Sequence, residues 1–137
     1  MKYLLDTNIC IYLMKRQPPE VAERFAACHQ GDIVMSAITL AELEYGIVCC
    51  AEETRFQNQQ ALNALLELIP VLPFESSAAH VYANIRYATR DKKADALDKL
   101  IAAQAVAMNL IVVTNNESDF RRYPHVRVEN WLKPQML

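Results

Sequence analysis

Glycine is nearly missing from this chain: Gly31 and Gly46 are the only two in 137 residues. That scarcity excludes the three-glycine dinucleotide fingerprint and the P-loop, which both need glycines at fixed spacing where backbone meets phosphate. No run approaches the roughly 18 consecutive apolar residues that cross a bilayer. Met1 leads almost directly into the apolar Tyr3-Leu4-Leu5, without the basic region and apolar core of a signal peptide. A cytoplasmic protein with no membrane partner is expected. The four cysteines, Cys10, Cys28, Cys49 and Cys50, show no Cys-x-x-Cys spacing. They read as small buried hydrophobes in a reducing compartment. His29, His80 and His125 lie far apart and read as surface or cap residues rather than zinc ligands. An excess of positive charge is also lacking: the net charge of -2 argues against a general nucleic-acid coat. Bases do cluster locally, at Arg86, Arg90, Lys92 and Lys93 and again at Arg121, Arg122 and Arg127.

What is present is apolar material in a regular order. A hydrophobic content of 53% suffices for one sizeable core, so residues 1–137 are expected to form one domain. Short apolar runs predict strands over 2–5, 32–36, 71–74, 110–113 and 127–129. Helical spacing predicts helices over 8–14, 19–29 and 39–50, a long one over 56–69 stopped by Pro70, one starting near Ser76 or Ser77, and a last over 97–108. Strands alternating with helices imply an α/β fold with a mainly parallel sheet covered on both faces.

In such sheets ligands bind beyond the carboxyl ends of the strands. Asp6 follows the first strand, Glu42 follows the second and its turn, and Asp119 follows Thr114-Asn115-Asn116 after the fourth. Asp98 stands early in a helix, directly after Leu97 and before Leu100-Ile101. Each acid has an ordinary explanation. Asp6, Thr7 and Asn8 can all cap a helix, Thr39 and Glu42 have capping-box spacing, Asp98 suits a helix N-terminus, and Asp119 suits a turn. As a set they point elsewhere, since carboxylates gathered against apolar faces repel one another unless a cation lies between them. Oxygen ligands without His or Cys favour Mg²⁺ or Mn²⁺, and such ions support phosphodiester hydrolysis. Asp6 is then a ligand, with Thr7 and Asn8 left to cap the helix.

The strings Leu4-Leu5-Asp6-Thr7-Asn8, Ser36-Ala37-Ile38-Thr39-Leu40-Ala41-Glu42-Leu43, Asp98-Lys99-Leu100-Ile101-Ala102-Ala103, Val113-Thr114-Asn115-Asn116 with Asp119-Phe120, and Val128-Glu129-Asn130-Trp131 occur in that order. Together they resemble the PIN-domain ribonucleases, and within them the VapC toxins of bacterial VapBC toxin–antitoxin pairs. The resemblance implies a PIN-like three-layer α/β/α sandwich and a Mg²⁺-dependent endoribonuclease that cuts structured RNA and arrests translation. A tRNA, with the initiator tRNA anticodon loop a candidate, is the implied substrate, and ribosomal RNA is the alternative. It makes Asp6, Glu42 and Asp98 the metal ligands. The fourth position lies between Asn116 and Asp119, because many PIN domains carry an aspartate where this chain has Asn116. A cognate VapB-type antitoxin and a homodimer are implied partners, with the 56–69 helix, Tyr12 and Tyr45 as interface candidates. Arg86, Arg90, Lys92 and Lys93 are candidate RNA contacts. The segment before Asp98, Thr89-Arg90-Asp91-Lys92-Lys93-Ala94-Asp95, lacks the glycine usual in the family. A DNA nuclease and a degenerate module that binds without cleaving are the rival readings.

Overall fold

Leu4 and Leu5 are fully buried, one toward each face, as a strand in the middle of a parallel sheet requires. The computed structural model describes residues 1–91 and 96–133. In chain order they form β1 (Tyr3–Leu5), α1 (Thr7–Lys15), α2 (Pro19–Ala26), β2 (Ile33–Ser36), α3 (Ala37–Val48), α4 (Glu52–Leu68), β3 (Val71–Leu72), α5 (Ser76–Ala88), α6 (Ala96–Ala107), β4 (Ile111–Val113), α7 (Glu117–Phe120) and β5 (Arg127–Glu129). The five strands lie in the order β3-β2-β1-β4-β5, and every neighbouring pair is parallel. Leu5 stands level with Met35 on one side and Val113 on the other. The chain therefore extends the sheet one way from β1, then crosses over and extends it the other way. The crossover leaves a crevice at the carboxyl ends of β1 and β4, the usual place for a site in a doubly wound sheet.

Alternation along the strands sorts the core into two layers. Tyr3, Leu5, Ile33, Met35 and Val113 pack with Ile9 of α1, Leu43 and Ile47 of α3, Leu62 and Leu65 of α4, and Trp131. Leu4, Val34 and Val112 face the other way, onto Ile85 of α5, Ile101, Ala102 and Ala105 of α6, and Phe120 of α7. The result is the expected three-layer α/β/α sandwich. Among the described residues no helix is long and apolar enough to cross a membrane.

Several boundaries differ from expectation for local reasons. The third helix starts at Ala37 rather than 39, because the Ser36 hydroxyl accepts the Ile38 N–H at 3.0 Å and caps it there. The third strand stops at Leu72, as Pro73 has no N–H to extend a ladder. The second helix ends at Ala26, three residues early. Asp119 lies in the short helix α7 rather than in a turn. Of the cysteines only Cys10 is buried; Cys49 is exposed, because α3 ends at Val48 and leaves it on the cap. Burial, and secondarily the Asp6 carboxylate, push the Cys10 thiol far up and leave it inert. His29, His80 and His125 are all exposed.

Candidate active site

Asp6 is the first residue after β1 and is only 5% exposed. A carboxylate so placed is tolerated only if its oxygens accept hydrogen bonds. Oδ1 accepts the Thr7 backbone N–H at 2.7 Å, and Oδ2 accepts the Thr114 hydroxyl at 2.8 Å. Thr114 leaves β4, so this second bond closes across the crevice. Asp6 is itself the N-cap of α1. The expectation that Thr7 and Asn8 would do the capping is thus corrected.

Thr7 is used otherwise. Its hydroxyl donates to Glu42 Oε1 at 2.8 Å, joining the start of α1 to the second turn of α3. With Ser36 as the cap of α3 and Thr39 buried inside the helix, the capping-box explanation of Glu42 falls. The Ser36 hydroxyl also donates to Gln104 Oε1 at 2.6 Å. Gln104 Nε2 reaches the carbonyls of Leu72 at 3.3 Å and Pro73 at 3.0 Å. One buried amide thereby ties α6, the exit of β3 and the cap of the helix that carries Glu42.

Asp98 is half-buried in the first turn of α6. Its neighbour Leu97 lines an open, mostly apolar cavity of about 420 Å³ with Ile38, Ala41, Glu42 and Tyr45. The following residue, Lys99, is buried, and its Nζ donates to the Thr89 carbonyl at 3.4 Å. On the other flank, the Asn116 N–H donates to Thr114 Oγ1 at 3.0 Å and Asn116 Nδ2 to Asp119 Oδ2 at 2.7 Å. Arg122 meets Asp119 Oδ1 at 3.5 Å.

The fold thus links Glu42, Asp6 and Asp119 through Thr7, Thr114 and Asn116, and Asp98 follows Leu97, which shares a cavity with Glu42. Among the described residues, no three Asp, Glu, His or Cys side chains are grouped closely enough to hold a metal ion. Thr7 stands between Asp6 and Glu42, and Thr114 and Asn116 stand between Asp6 and Asp119. The available donor set is still entirely oxygen, which suits a hard divalent cation.

Of the candidate RNA contacts, Arg86 and Arg90 are exposed. Arg90, just past the end of α5, folds back on that helix, donating to the Tyr87 carbonyl at 2.8 Å with its guanidinium 4.0 Å from the Tyr87 ring centre. Lys92, Lys93 and Asp95 lie outside the described residues. Sequence reasoning misses Thr7 and Thr114 as partners of the acids, and Gln104 as the tie to the cap of α3. The available signal was a hydroxyl residue beside, or level with, an acid at the end of a strand.

Comparison with known proteins gives the family. Residues 3–126 match the PIN domain. A protein of Shigella flexneri named tRNA(fMet)-specific endonuclease VapC is 36% identical over 135 residues, spanning 96% of this chain and 98% of that one. The chain belongs to the VapC proteins of the PIN-domain family. Ribonuclease VapC2 of Rickettsia felis is 34% identical over 136 residues, covering 97% of this chain and all of that one. The crystal structure of Rickettsia felis VapBC2 bound to a promoter DNA fragment superposes with a TM-score of 0.87 at 32% identity, covering 96% and 99% of the two chains. The motif-based resemblance therefore extends along nearly the whole VapC chain.

Proposed function

We propose that this VapC protein is the toxin of a type II toxin–antitoxin pair, a Mg²⁺-dependent endoribonuclease that cuts a structured RNA at an unpaired loop and so stops translation. The observation that carries this reading is the buried Asp6 at the β1/β4 crevice. It is held by Thr7 and Thr114 and linked through the Thr7 hydroxyl to Glu42. Asp6, Glu42 and Asp98 are the proposed cation ligands, with Asp119 at the fourth position, and would have to draw closer than they stand in this structure to share one ion. When bound, the cation supplies Lewis-acid activation of water and stabilisation of the leaving oxygen.

The chain's own contribution is orientation. The Thr7 N–H and the Thr114 hydroxyl take up one oxygen of Asp6 each from the protein side and fix the plane of the carboxylate. The Thr7 hydroxyl does the same for one oxygen of Glu42. Groups that hold ligands in this way commonly change affinity or activity by about 10- to 100-fold when removed. The substrate class follows from readability: RNA bases become accessible when unstacked in a loop. A tRNA is favoured because the Shigella flexneri relative is named for one. Arg86 and Arg90, with Lys92 and Lys93, are the proposed phosphate contacts.

The proposed partner is a VapB-type antitoxin, since the Rickettsia felis neighbour is a VapBC complex. Tyr45, at 70% exposed, and Leu97 flank the cavity beside Glu42. An antitoxin segment with apolar side chains for that cavity and an Arg or Lys for the carboxylates would fit it. Val48, Phe56 and Leu68 are exposed as well and provide apolar area for a homodimer.

The test is cleavage of total cellular RNA by purified protein with Mg²⁺, with and without chelator, comparing wild type with Asp98→Asn. Cutting at one or a few sites, abolished by chelator and by the substitution, is expected. Purified initiator tRNA should be cut and ribosomal RNA left intact. Equal cleavage by the variant would remove the metal-site reading, and no cleavage of any RNA would leave a binding module.

A further inference from the structure

The stretch leaving β4 offers two candidates for one position, Asn116 and Asp119, and their geometry assigns them different tasks. A carboxylate only accepts hydrogen bonds, so the side-chain group of Asn116 that lies 2.7 Å from Asp119 Oδ2 is its NH₂. The Thr114 hydroxyl has a single proton, given to Asp6 Oδ2 at 2.8 Å, so a lone pair is left to accept the Asn116 N–H at 3.0 Å. Every donor direction from Asp6 through Thr114 and Asn116 to Asp119 is therefore fixed.

Asn116 is also the N-cap of α7, where an asparagine oxygen ordinarily accepts the backbone N–H two or three residues on. It makes no such cap bond. Its amide bypasses the backbone of the third helical residue, Asp119, and donates to that residue's carboxylate instead. A local rule set aside in this way marks a position shaped by something other than helix stability.

We propose that Asn116 is a positioning residue for Asp119: it aims the fourth carboxylate from a mount anchored on Asp6, and is not itself a ligand. The proposal rests on the reading of the site as a metal-dependent ribonuclease centre. Arg122, on the other oxygen of Asp119, restrains it from the opposite side.

Mn²⁺ titration of the full-length protein followed by electron paramagnetic resonance tests this, with thermal melting in metal-free buffer run alongside. The variants are Asn116→Ala, Asn116→Asp, Asp119→Ala and the double variant Asn116→Ala/Asp119→Ala. Asn116→Ala should weaken Mn²⁺ binding about tenfold, in the range seen when a group orienting a ligand is lost. The double variant should bind no more weakly than Asp119→Ala alone, because Asn116 acts only through Asp119. Asn116→Asp, which keeps the backbone bond to Thr114 but replaces the donor with a like charge, should also weaken binding. Tighter binding by Asn116→Asp, or losses that multiply in the double variant, overturns the proposal. A wild type that binds no Mn²⁺ and cuts no RNA overturns both the proposal and the reading beneath it; multiplying losses in a wild type that does both overturn the positioning role alone.

Discussion

The Thr7 hydroxyl donates to Glu42 Oε1 at 2.8 Å across 35 positions of sequence, while the Thr7 backbone N–H serves Asp6. One residue thus orients two of the proposed ligands. Thr7→Val keeps the shape and the backbone donor but removes the hydroxyl. RNA cleavage should fall about 10- to 100-fold. Stability should fall by only about 1 kcal/mol, the usual net worth of one hydrogen bond. Cleavage kinetics with a thermal melt separate the two effects, and unchanged kinetics would deny Thr7 this role.

Gln104 is 1% exposed and joins three elements with one side chain. Gln104→Met preserves much of the volume but deprives two carbonyls and the Ser36 hydroxyl of their partner. With each buried group left unpaired costing about 1–3 kcal/mol, the total should reach about 3 kcal/mol. Urea unfolding should show a lower midpoint at unchanged slope. A shift under 1 kcal/mol would mean that other groups or water replace the amide.

Trp131 is 1% exposed, stacks edge-on against Tyr3 at 5.5 Å, and donates from Nε1 to Glu129 Oε1 at 3.1 Å. Arg24 pairs with the same Glu129 oxygen and lies 5.9 Å from the indole centre. This clamp ties α2 and β5 to the central strand. Trp131→Ala should cost about 3–5 kcal/mol, and Trp131→Phe, which retains most of the ring, should cost clearly less. Equal losses in the two variants, by denaturant titration, would place the clamp's worth in the N–H bond rather than in packing.

The Lys133 ammonium, bonded to Glu117 Oε2 at 2.6 Å, and secondarily Arg121 hold the Glu117 carboxyl below its ordinary range against some desolvation. A carboxyl lowered in the folded state contributes stability above its unfolded pKa and loses it as pH falls through the folded value. Wild type should therefore melt above Glu117→Gln at pH 7, with the gap closing as pH drops below about 4. Added salt should narrow the gap at neutral pH. A gap that widens toward acid would reverse the sign of the argument.

Much of this was legible in the chain. Apolar runs marked β1, β2 and β4 because the inner strands of a parallel sheet are covered on both faces, and Asp6, Glu42 and Asp119 stood out because they follow those runs. The partners of the acids were not legible. Thr114 reaches Asp6 across 108 positions only because β4 lies beside β1, and strand order is not written in local periodicity. Ser36 rather than Thr39 caps α3 because the strand runs directly into the helix. Asn116 and Asp119 appear as competitors in sequence because spacing alone does not reveal which way an amide points.

The central strand is made almost first and completed almost last. β1 gains β2 early, but its other neighbour is β4, and Glu129 of β5 accepts the N–H of Thr114 in turn. Asp6 therefore gains its mount only when β4 has paired with β1. The site at Asp6 is no local motif: it exists only when two strands 108 positions apart lie side by side.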